Sequence, residues 1–310
     1  MSAQDSILVR ASEVLADGWG VLKRVTFDQR FRDGTWRSLT RLAYDHGDCA
    51  SVLPYDPKRG LVLLVRQFRL PGKVLMDLGG RTVLARVIER ALAIPGCEVL
   101  VCAVPEGPED DPVAEEASKA GAVVTRGSRD DVLDRYWRAA QAVQAEAVMR
   151  VTSDCPLIDP EVCGDLIALF QRSDADYACI NDPPTWPHGL ECEIFSYAWL
   201  DRAAREATKP SEREHVSPFI RNHPDARRVN MPGPGPETVR HRWTLDHADD
   251  LTFLRALRAR LPQGPDGWPW KVPFAIVEAD PALASINAGH DRLEGLKMSL
   301  AQDAREGFAS

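Results

Sequence analysis

The feature that most constrains this chain is a change of hydrophobic pattern near residue 70. Before it, short extended runs alternate with turn signals such as Asp17-Gly18 and Asp33-Gly34, a spacing that predicts antiparallel hairpins. After it, strand and helix patterns alternate, which predicts a mostly parallel sheet with helices on both faces. We therefore expect an α/β fold with a Rossmann-like sheet and an N-terminal antiparallel β appendage, divided into residues 1–60 and 61–310.

The second region also suggests individual elements. Thr82 is expected to cap a helix whose apolar residues form one stripe, ended by Pro95-Gly96. Further elements are expected as strands at 98–104, 122–125 and 147–152, helices near 112–120 and 131–143, a strand-like run at 240–245, and a short strand and a helix within 268–310.

Composition excludes several classes of protein. The formal charge of −8 comes from intermixed acidic and basic residues, so no nucleic-acid surface is expected. The apolar run Leu61–Val65 is too short to cross a membrane. Met1–Arg10 lacks the pattern of a signal peptide, and the seven cysteines form no C-x-x-C pair. We expect a cytoplasmic protein whose cysteines, such as Cys102 and Cys155, are reduced core residues.

Two aspartates follow strand-like runs. Asp154 comes after residues 148–151, and Asp246 ends the run 240–245. In open α/β sheets, ligands bind beyond the carboxyl ends of strands, and two carboxylates there can hold Mg²⁺ against a triphosphate. Either aspartate alone is more often a helix cap.

Two further segments have the chemistry of a phosphate site. Lys73 follows a tight turn, Leu70-Pro71-Gly72, where a cation can stabilise a departing pyrophosphate. Arg126-Gly127-Ser128 and Asp131 precede a predicted helix, where backbone can approach a nucleotide. Each segment alone is also compatible with an ordinary turn or strand–helix connection.

Together, these segments resemble one family. Residues 70–258 are similar to cytidylyltransferases of the spore-coat-polysaccharide (SpsF) type, relatives of the acylneuraminate and deoxy-octulosonate cytidylyltransferases. The motifs that carry the resemblance occur in a fixed order along the chain: Arg69-Leu-Pro-Gly-Lys-Val-Leu75, Arg126-Gly-Ser128, Asp131-Val-Leu-Asp-Arg-Tyr136, Val151-Thr-Ser-Asp-Cys-Pro-Leu157, Pro187-His-Gly-Leu-Glu-Cys-Glu193, Arg213-Glu-His-Val216 and Arg242-Trp-Thr-Leu-Asp-His247.

The resemblance implies a nucleotidyltransferase sheet and CMP transfer from CTP to a sugar or sugar acid, with Mg²⁺ as cofactor and a homodimer as one expected assembly. Lys73, Asp154 and Asp246 would be catalytic, and the two aspartates would bind the metal. The remaining residues fall into two implied groups. The nucleotide would contact Arg69, Leu70, Pro71, Gly72, Lys73, Arg126, Gly127, Ser128, Asp131, Thr152 and Ser153. The acceptor would contact His188, Gly189, Glu191, Glu193, Arg213, Glu214, His215 and Arg242.

One part of the family pattern is altered. The resemblance implies a Gly-Ser pair before Arg69-Leu70-Pro71, but this chain has Arg66-Gln67. Glycine there permits close approach of backbone to phosphate, which a side chain obstructs. A nucleotide-binding protein with impaired turnover is therefore an alternative function.

The first 70 residues resemble a different family, the N-terminal part of GDP-mannose pyrophosphatases of the Nudix type. The resemblance lies in Trp19–Phe27, Arg32–Trp36 and Val62–Pro71, while the acidic metal-binding helix of Nudix hydrolases is missing from the sequence. Nudix hydrolysis is therefore the least favoured function. We expect a fusion in which Leu61–Val65 supplies the first strand of the nucleotidyltransferase sheet.

Overall fold

A computed structural model describes residues 7–17, 21–30, 35–45, 50–53, 55–56, 61–62, 73–262 and 267–308. The chain divides into two compact units, Met1–Pro71 and Gly72–Ser310. The expected domain start at residue 61 stays a prediction, because residues 63–72 lie outside the described part of the chain.

The first unit contains the predicted antiparallel sheet. Strands β1 to β4 pair in sequence order, each antiparallel to the next. Cross-strand pairs such as Arg10 with Asp28, 2.7 Å apart, lie on exposed positions. A separate two-stranded ladder joins β5 and β6, so the described part of the predicted strand at 61–65 pairs with β5. The bounds are Ile7–Asp17, Val21–Arg30, Trp36–Asp45, Ala50–Leu53, Tyr55–Asp56 and Leu61–Val62 for β1 to β6.

The second unit contains the α/β architecture expected from the sequence. Strands β7 and β8 are parallel to each other, and a four-stranded sheet has the order β12-β10-β11-β9. Within that sheet only β11 is reversed, because it runs antiparallel to both β10 and β9. The bounds are Val101–Pro105, Val123–Gly127, Ala147–Arg150, Tyr177–Cys179, Glu193–Ser196 and Arg228–Asn230 for β7 to β12.

Helices connect these strands and continue to the C-terminus. In chain order, α1 to α11 are Val83–Leu92, Asp111–Lys119, Val132–Ala142, Pro160–Ser173, Tyr197–Glu206, Pro210–His215, Pro218–Asn222, Ala248–Arg258, Lys271–Ala279, Pro281–Ala284 and Glu294–Arg305.

Alternation along the central strands builds a core on both faces of the larger sheet. Successive strand side chains point to opposite faces. Ala178 and Ile194 therefore pack with residues of α4 and α8 in one buried cluster. Tyr177 and Phe195 pack with residues of α3 and α5 in another. This arrangement leaves the ends of the strands as the exposed part of the sheet, where loops can form a site.

Polar caps fix the helices at the expected positions. Thr82 accepts a hydrogen bond from Ala85 N at 3.0 Å and begins α1, as predicted. Asp159 caps α4 through Oδ1, and its Oδ2 accepts from Trp270 N. The carboxylate thereby joins α4 to the segment that precedes α9.

A buried guanidinium makes a second connection between these segments. Arg90 of α1 is 1% exposed and donates to Ile158 O at 2.5 Å and to Trp268 O at 3.2 Å. Its guanidinium also lies 4.2 Å from the centre of the Trp268 ring. Because three segments share this one cation, the sequence around residue 268 is held against the core.

Two expected elements differ in the structure. The strand-like run 240–245 makes only one bridge, between Arg242 and His188. Residues 241–245 are all buried, with Trp243 and Leu245 in the apolar core and Arg242 bonded to the carboxylate of Asp250. The short strand expected within 268–310 is also wrong, because residues 267–308 contain the helices α9 to α11 and no strand.

No helix within the described residues is both long and apolar enough to cross a membrane. The expectation of reduced thiols agrees with the described cysteines, which are free, and Cys155 is buried as predicted while Cys102 is half-buried. Burial raises the pKa of the Cys155 thiol, so the group stays protonated near neutrality.

The two-faced core makes a testable prediction. Leu166 of α4 is fully buried, so Leu166→Ala is expected to lower the free energy of unfolding by about 2–5 kcal/mol through lost contacts and a cavity. Leu92→Ala is the matched control, since Leu92 is 48% exposed and should cost less than about 0.5 kcal/mol. Urea denaturation measures both, and equal losses would contradict the assigned core.

Candidate active site

Three segments meet at the ammonium group of Lys73. Lys73 Nζ lies 3.0 Å from Asp154 Oδ2 and 3.1 Å from Asp246 Oδ1, and it donates to Leu245 O at 2.8 Å. The three residues predicted to be catalytic are therefore in direct contact, although they are far apart in sequence. Asp154 and Leu245 are also joined through the backbone, because Leu245 N donates to Asp154 O at 2.9 Å.

The contacts determine the ionisation of this group. Burial on its own raises the pKa of Asp154, but the Lys73 ammonium and a hydrogen bond from Thr152 outweigh it and bring the pKa to about 2. Burial likewise lowers the pKa of Lys73, and the charges of Asp154 and Asp246 outweigh it and raise the pKa. Near neutral pH, Asp154 is therefore ionised and Lys73 is protonated.

A second cation, Arg242, contacts the other carboxylate oxygen of Asp246. Arg242 Nη2 donates to Asp246 Oδ2 at 2.8 Å, and Arg242 Nε donates to Asp250 Oδ1 at 2.8 Å. Asp250 is fully buried and also accepts from Asn287 Nδ2 at 2.8 Å and from Asp246 N at 2.9 Å. Burial raises the pKa of Asp250, but the hydrogen bonds from Arg242, Asn287 and the backbone of Asp246 and His247 together outweigh it and lower the pKa, so the carboxylate is ionised.

This network extends to the predicted acceptor residues. Arg242 Nη1 lies 3.3 Å from His188 Nδ1, and Arg292 Nη2 donates to Glu191 Oε1 at 2.6 Å. Burial lowers the pKa of His188, so its imidazole is neutral at pH 7. Arginine only donates hydrogen bonds, so Nδ1 of His188 is the acceptor and Nε2 carries the proton.

Gly189 permits the close approach of these two segments. Its φ is +106°, and a Cβ on it would lie 2.6 Å from Trp243 C and 2.9 Å from Thr244 N. Both atoms belong to backbone, which cannot move aside as the end of a side chain can. Glycine at 189 is therefore required for the His188–Arg242 bridge.

The predicted nucleotide residues near 126 lie at the carboxyl ends of β7 and β8. Arg126 donates to Pro105 O at 3.1 Å and to Gly107 O at 3.2 Å, and Gly127 ends β8. Ser128 Oγ accepts from Asp131 N at 3.2 Å. These contacts order the turn between β8 and α3, and its role in nucleotide binding stays a prediction.

Asp131 has two structural partners. Its Oδ1 caps α3 by accepting from Asp134 N at 2.9 Å, and its Oδ2 accepts from Arg213 Nε at 2.9 Å. The ordinary strand–helix connection considered from the sequence is therefore present, with Asp131 as the cap of α3, and the same side chain joins α3 to α6. Arg213, predicted to face the acceptor, is therefore held against a residue predicted to face the nucleotide.

Two more predicted nucleotide residues precede Asp154. Thr152 hydrogen-bonds to Asp154 and lies 3.0 Å from Cys155 Sγ through its Oγ1, whereas Ser153 is exposed. The remaining predicted residues of that group, Arg69, Leu70, Pro71 and Gly72, lie outside the described residues.

Glu193 lies in a buried polar cluster. It is 4% exposed and accepts hydrogen bonds from Tyr177 OH at 2.7 Å and from Ser217 Oγ at 2.9 Å, and Arg150 Nη1 lies 3.4 Å away. These partners engage both carboxylate oxygens within the protein. A direct contact of Glu193 with an acceptor stays a prediction.

The predicted residues Glu214 and His215 contact the C-terminal helix. Ser299 Oγ of α11 lies 2.8 Å from Glu214 Oε2 and 2.9 Å from His215 Nε2. Burial lowers the pKa of His215, so it is neutral near pH 7. The α6 triplet is consequently not a freely solvated helix face.

Sequence reasoning did not assign Asp250, Asn287 and Arg292 to the site. The pair Asp249-Asp250 closely follows the Arg242–His247 motif and belongs to the same family resemblance, but the resemblance assigned Asp250 no role in the site. Asn287 and Arg292 come from the C-terminal segment, and no local pattern indicates that they return to the site. Asn287 bonds to Asp250, and Arg292 bonds to Glu191. These two acidic residues were the only signals in the sequence that polar partners are needed there.

Comparison with known proteins gives a consistent result. The sequence profile described as cytidylyltransferase matches residues 68–256, and the profile of the GDP-mannose pyrophosphatase NudK N-terminal domain matches residues 6–44. The chain is 33% identical to the spore coat polysaccharide biosynthesis protein SpsF of Bacillus subtilis over 64% of this chain and 84% of that protein.

Two other similarities cover comparable lengths. The chain is 29% identical to 3-deoxy-manno-octulosonate cytidylyltransferase of Escherichia coli over 71% of this chain and 79% of the relative. A solved cytidylyltransferase structure from Leptospira borgpetersenii superposes with a TM-score of 0.67 at 26% identity, covering 70% of this chain and 92% of that one.

The pairing of Lys73 with Asp154 predicts a pH effect. Replacing the ammonium in Lys73→Met should raise the pKa of Asp154 from about 2 to above the ~4 of a free aspartate, since burial then dominates. A ¹³C NMR titration of the carboxyl groups measures this pKa, and the resonance that is missing from Asp154→Asn identifies Asp154.

The lowered pKa of Asp154 also links the stability of the folded state to pH. Ionised Asp154 stabilises the folded state above pH ~4, and this contribution is lost as the pH falls towards 2. Lys119→Met, on an exposed helix end, is the control that should leave the titration unchanged. A pKa that stays near 2 in Lys73→Met would assign the depression to Thr152 instead.

Crowding at Gly189 makes a separate prediction. Gly189→Ala should destabilise the protein by about 1–3 kcal/mol more than Gly80→Ala, because only the former meets backbone atoms. Gly80 is the matched control, since it has a φ of +83° with no atom within 4 Å of an added Cβ. Chemical denaturation of both variants measures the difference, and equal losses would show that φ strain alone accounts for the effect.

Proposed function

Because the chain belongs to the cytidylyltransferase family, we propose that it transfers CMP from CTP to a hydroxyl of a sugar or sugar acid, with release of pyrophosphate. The acceptor oxygen forms a bond to the α-phosphorus of CTP, and the bond from that phosphorus to the pyrophosphate oxygen breaks. Similarity to the spore-coat and deoxy-octulosonate proteins supports a role in making a precursor of a surface polysaccharide, in the cytoplasm.

The convergence of Lys73, Asp154 and Asp246 supports this reaction most directly. Phosphoryl transfer builds negative charge on the phosphate oxygens, and a buried ammonium in a partly desolvated site stabilises such charge effectively. The Lys73 side chain is 15% exposed and its ammonium group is already held by two carboxylates, so its position is fixed before the nucleotide binds. We assign it the role of orienting the triphosphate and stabilising the departing pyrophosphate.

The donor set at this point fits a divalent metal ion. Asp154 Oδ2 and Asp246 Oδ1 both lie about 3 Å from Lys73 Nζ, so the two carboxylates are close enough together to bind one ion beside the ammonium group. Carboxylate oxygens are ligands that Mg²⁺ prefers. Bound Mg²⁺ would neutralise charge on the triphosphate, with Asp154 and Asp246 holding it.

We assign His188 and Arg242 a role in binding the acceptor. His188 Nε2 carries a proton and lies 3.9 Å from Glu191 Oε1, so it can donate to an oxygen of the sugar. Arg242 is held by Asp246 and Asp250. Because Arg242 also bonds to Nδ1 of His188, these contacts fix the orientation of the His188 imidazole. These two residues support binding of an oxygen-rich acceptor beside the catalytic carboxylates.

A nucleotide-binding role with impaired turnover is the second candidate, and Arg66-Gln67 favours it. Calorimetric titration of CTP, with UTP, ATP and GTP as controls and with and without Mg²⁺, measures binding without knowledge of the acceptor. Selective CTP binding strengthened by Mg²⁺ supports the site. Absence of binding by all four nucleotides would contradict both candidates.

Turnover separates the two candidates. Pyrophosphate release with CTP and a panel of sugar acids is expected for the wild type, and Asp154→Asn should reduce kcat about 100-fold or more through loss of metal and Lys73 contacts. Asp225→Asn is the matched control, since Asp225 is 71% exposed and should leave kcat unchanged. CTP binding without pyrophosphate release for every acceptor would favour the impaired protein.

A further inference from the structure

Two histidines and a glutamate come together beside the candidate active site. His247, His290 and Glu294 each offer a ligand atom, and these atoms all lie within 4.8 Å of one another. His247 directly follows the catalytic Asp246 at the start of α8, whereas His290 and Glu294 flank the start of α11. The cluster therefore connects two parts of the chain that are more than forty residues apart.

We propose that His247, His290 and Glu294 bind a divalent transition-metal ion such as Zn²⁺ or Co²⁺, at a site separate from Asp154 and Asp246. Imidazole nitrogen with one carboxylate suits these metals, whereas Mg²⁺ prefers oxygen ligands alone. Three protein ligands leave one position of a tetrahedral ion for water.

The distances suit such an ion. Bonds of about 2.0–2.1 Å place two ligands of one tetrahedral Zn²⁺ about 3.3 Å apart. His247 Nε2 and Glu294 Oε2 are already 3.2 Å apart. The His290 ring is stacked on the His247 ring, with 3.9 Å between centroids and 12° between planes. Because an imidazole nitrogen binds a metal in the plane of its ring, one ring must rotate out of this stack to bring its nitrogen to the same ion. The side chains of His247, His290 and Glu294 are 35%, 26% and 49% exposed, which leaves room for that rotation.

Asp249 supplies the outer partner that metal-binding histidines usually have. His290 Nε2 lies 2.7 Å from Asp249 Oδ2, a contact that orients the ring and leaves Nδ1 free for the metal. With Glu294 and Asp249 both acidic, the cluster also has the negative charge needed to compensate a dication. Geometry, ligand chemistry and the outer partner thus all support a metal site.

Metal binding there has a structural consequence for the candidate active site. The ion would fix the segment 290–294 to α8, and Arg292 within that segment holds Glu191 at 2.6 Å. The same segment leads into α11, whose Ser299 contacts Glu214 and His215. The metal would therefore stabilise the C-terminal helix against the residues predicted to bind the acceptor. The site itself is independent of the proposed transferase activity.

The test uses the untagged full chain after removal of metals. Titration with Co²⁺, followed by visible absorption and calorimetry, should show about one equivalent bound to nitrogen ligands, and Asp154→Asn should retain it. His290→Ala and Glu294→Gln should weaken binding by at least the ~10-fold that even an outer-shell substitution costs. Asp249→Asn should weaken binding by about 10-fold.

A matched histidine control separates this site from general surface binding. His223 packs against Trp199 and Phe219 at another part of the fold, so His223→Ala should bind Co²⁺ as the wild type does. Zn²⁺ should also raise the Tm of the wild type and of Asp154→Asn, but not of His290→Ala. Equal Co²⁺ affinity in the wild type and His290→Ala, or loss of all binding in Asp154→Asn, would overturn the proposal.

Discussion

The ammonium group of Lys73 lies between two carboxylates, and the arrangement of the candidate active site depends on that contact. Asp154 and Asp246 come from different segments, and each lies about 3 Å from the same nitrogen atom. Two carboxylates this close repel each other unless a cation lies between them. The single positive charge therefore holds the turn after β9 and the segment before α8 at their observed separation, and it lowers the pKa of Asp154.

Positive and negative side chains alternate outward from this centre. Asp246 is shared by Lys73 and Arg242, and Arg242 is shared by Asp246 and the fully buried Asp250. Breaking such a buried pair would leave an uncompensated charge, which costs more than the pair itself contributes. Asn287 completes the hydrogen bonding of Asp250, so the C-terminal segment becomes part of the same network.

Several elements were predictable because their signals are local. The cap at Thr82 and the alternation of strands and helices depend only on neighbouring residues, and the structure contains them. The run 240–245 was not predictable as a single bridge, since its alternating pattern is that of a strand. Trp243 and Leu245 enter the apolar core, whereas the equally buried Arg242 bonds to polar groups. The backbone bonds to the His188 segment and to Asp154 instead of to a strand.

The sequence by itself determined the fold class and the family, because ordered motifs and periodic burial are properties of neighbouring residues. It also determined that Lys73, Asp154 and Asp246 carry the relevant charges. Only the tertiary structure decided which charges meet. Asn287 and Arg292 reach the site from positions that have no periodic relation to their partners. Contacts of this kind depend on how whole segments pack. Gly189 is an example, because backbone atoms of Trp243 and Thr244 occupy the space that a side chain at position 189 would need.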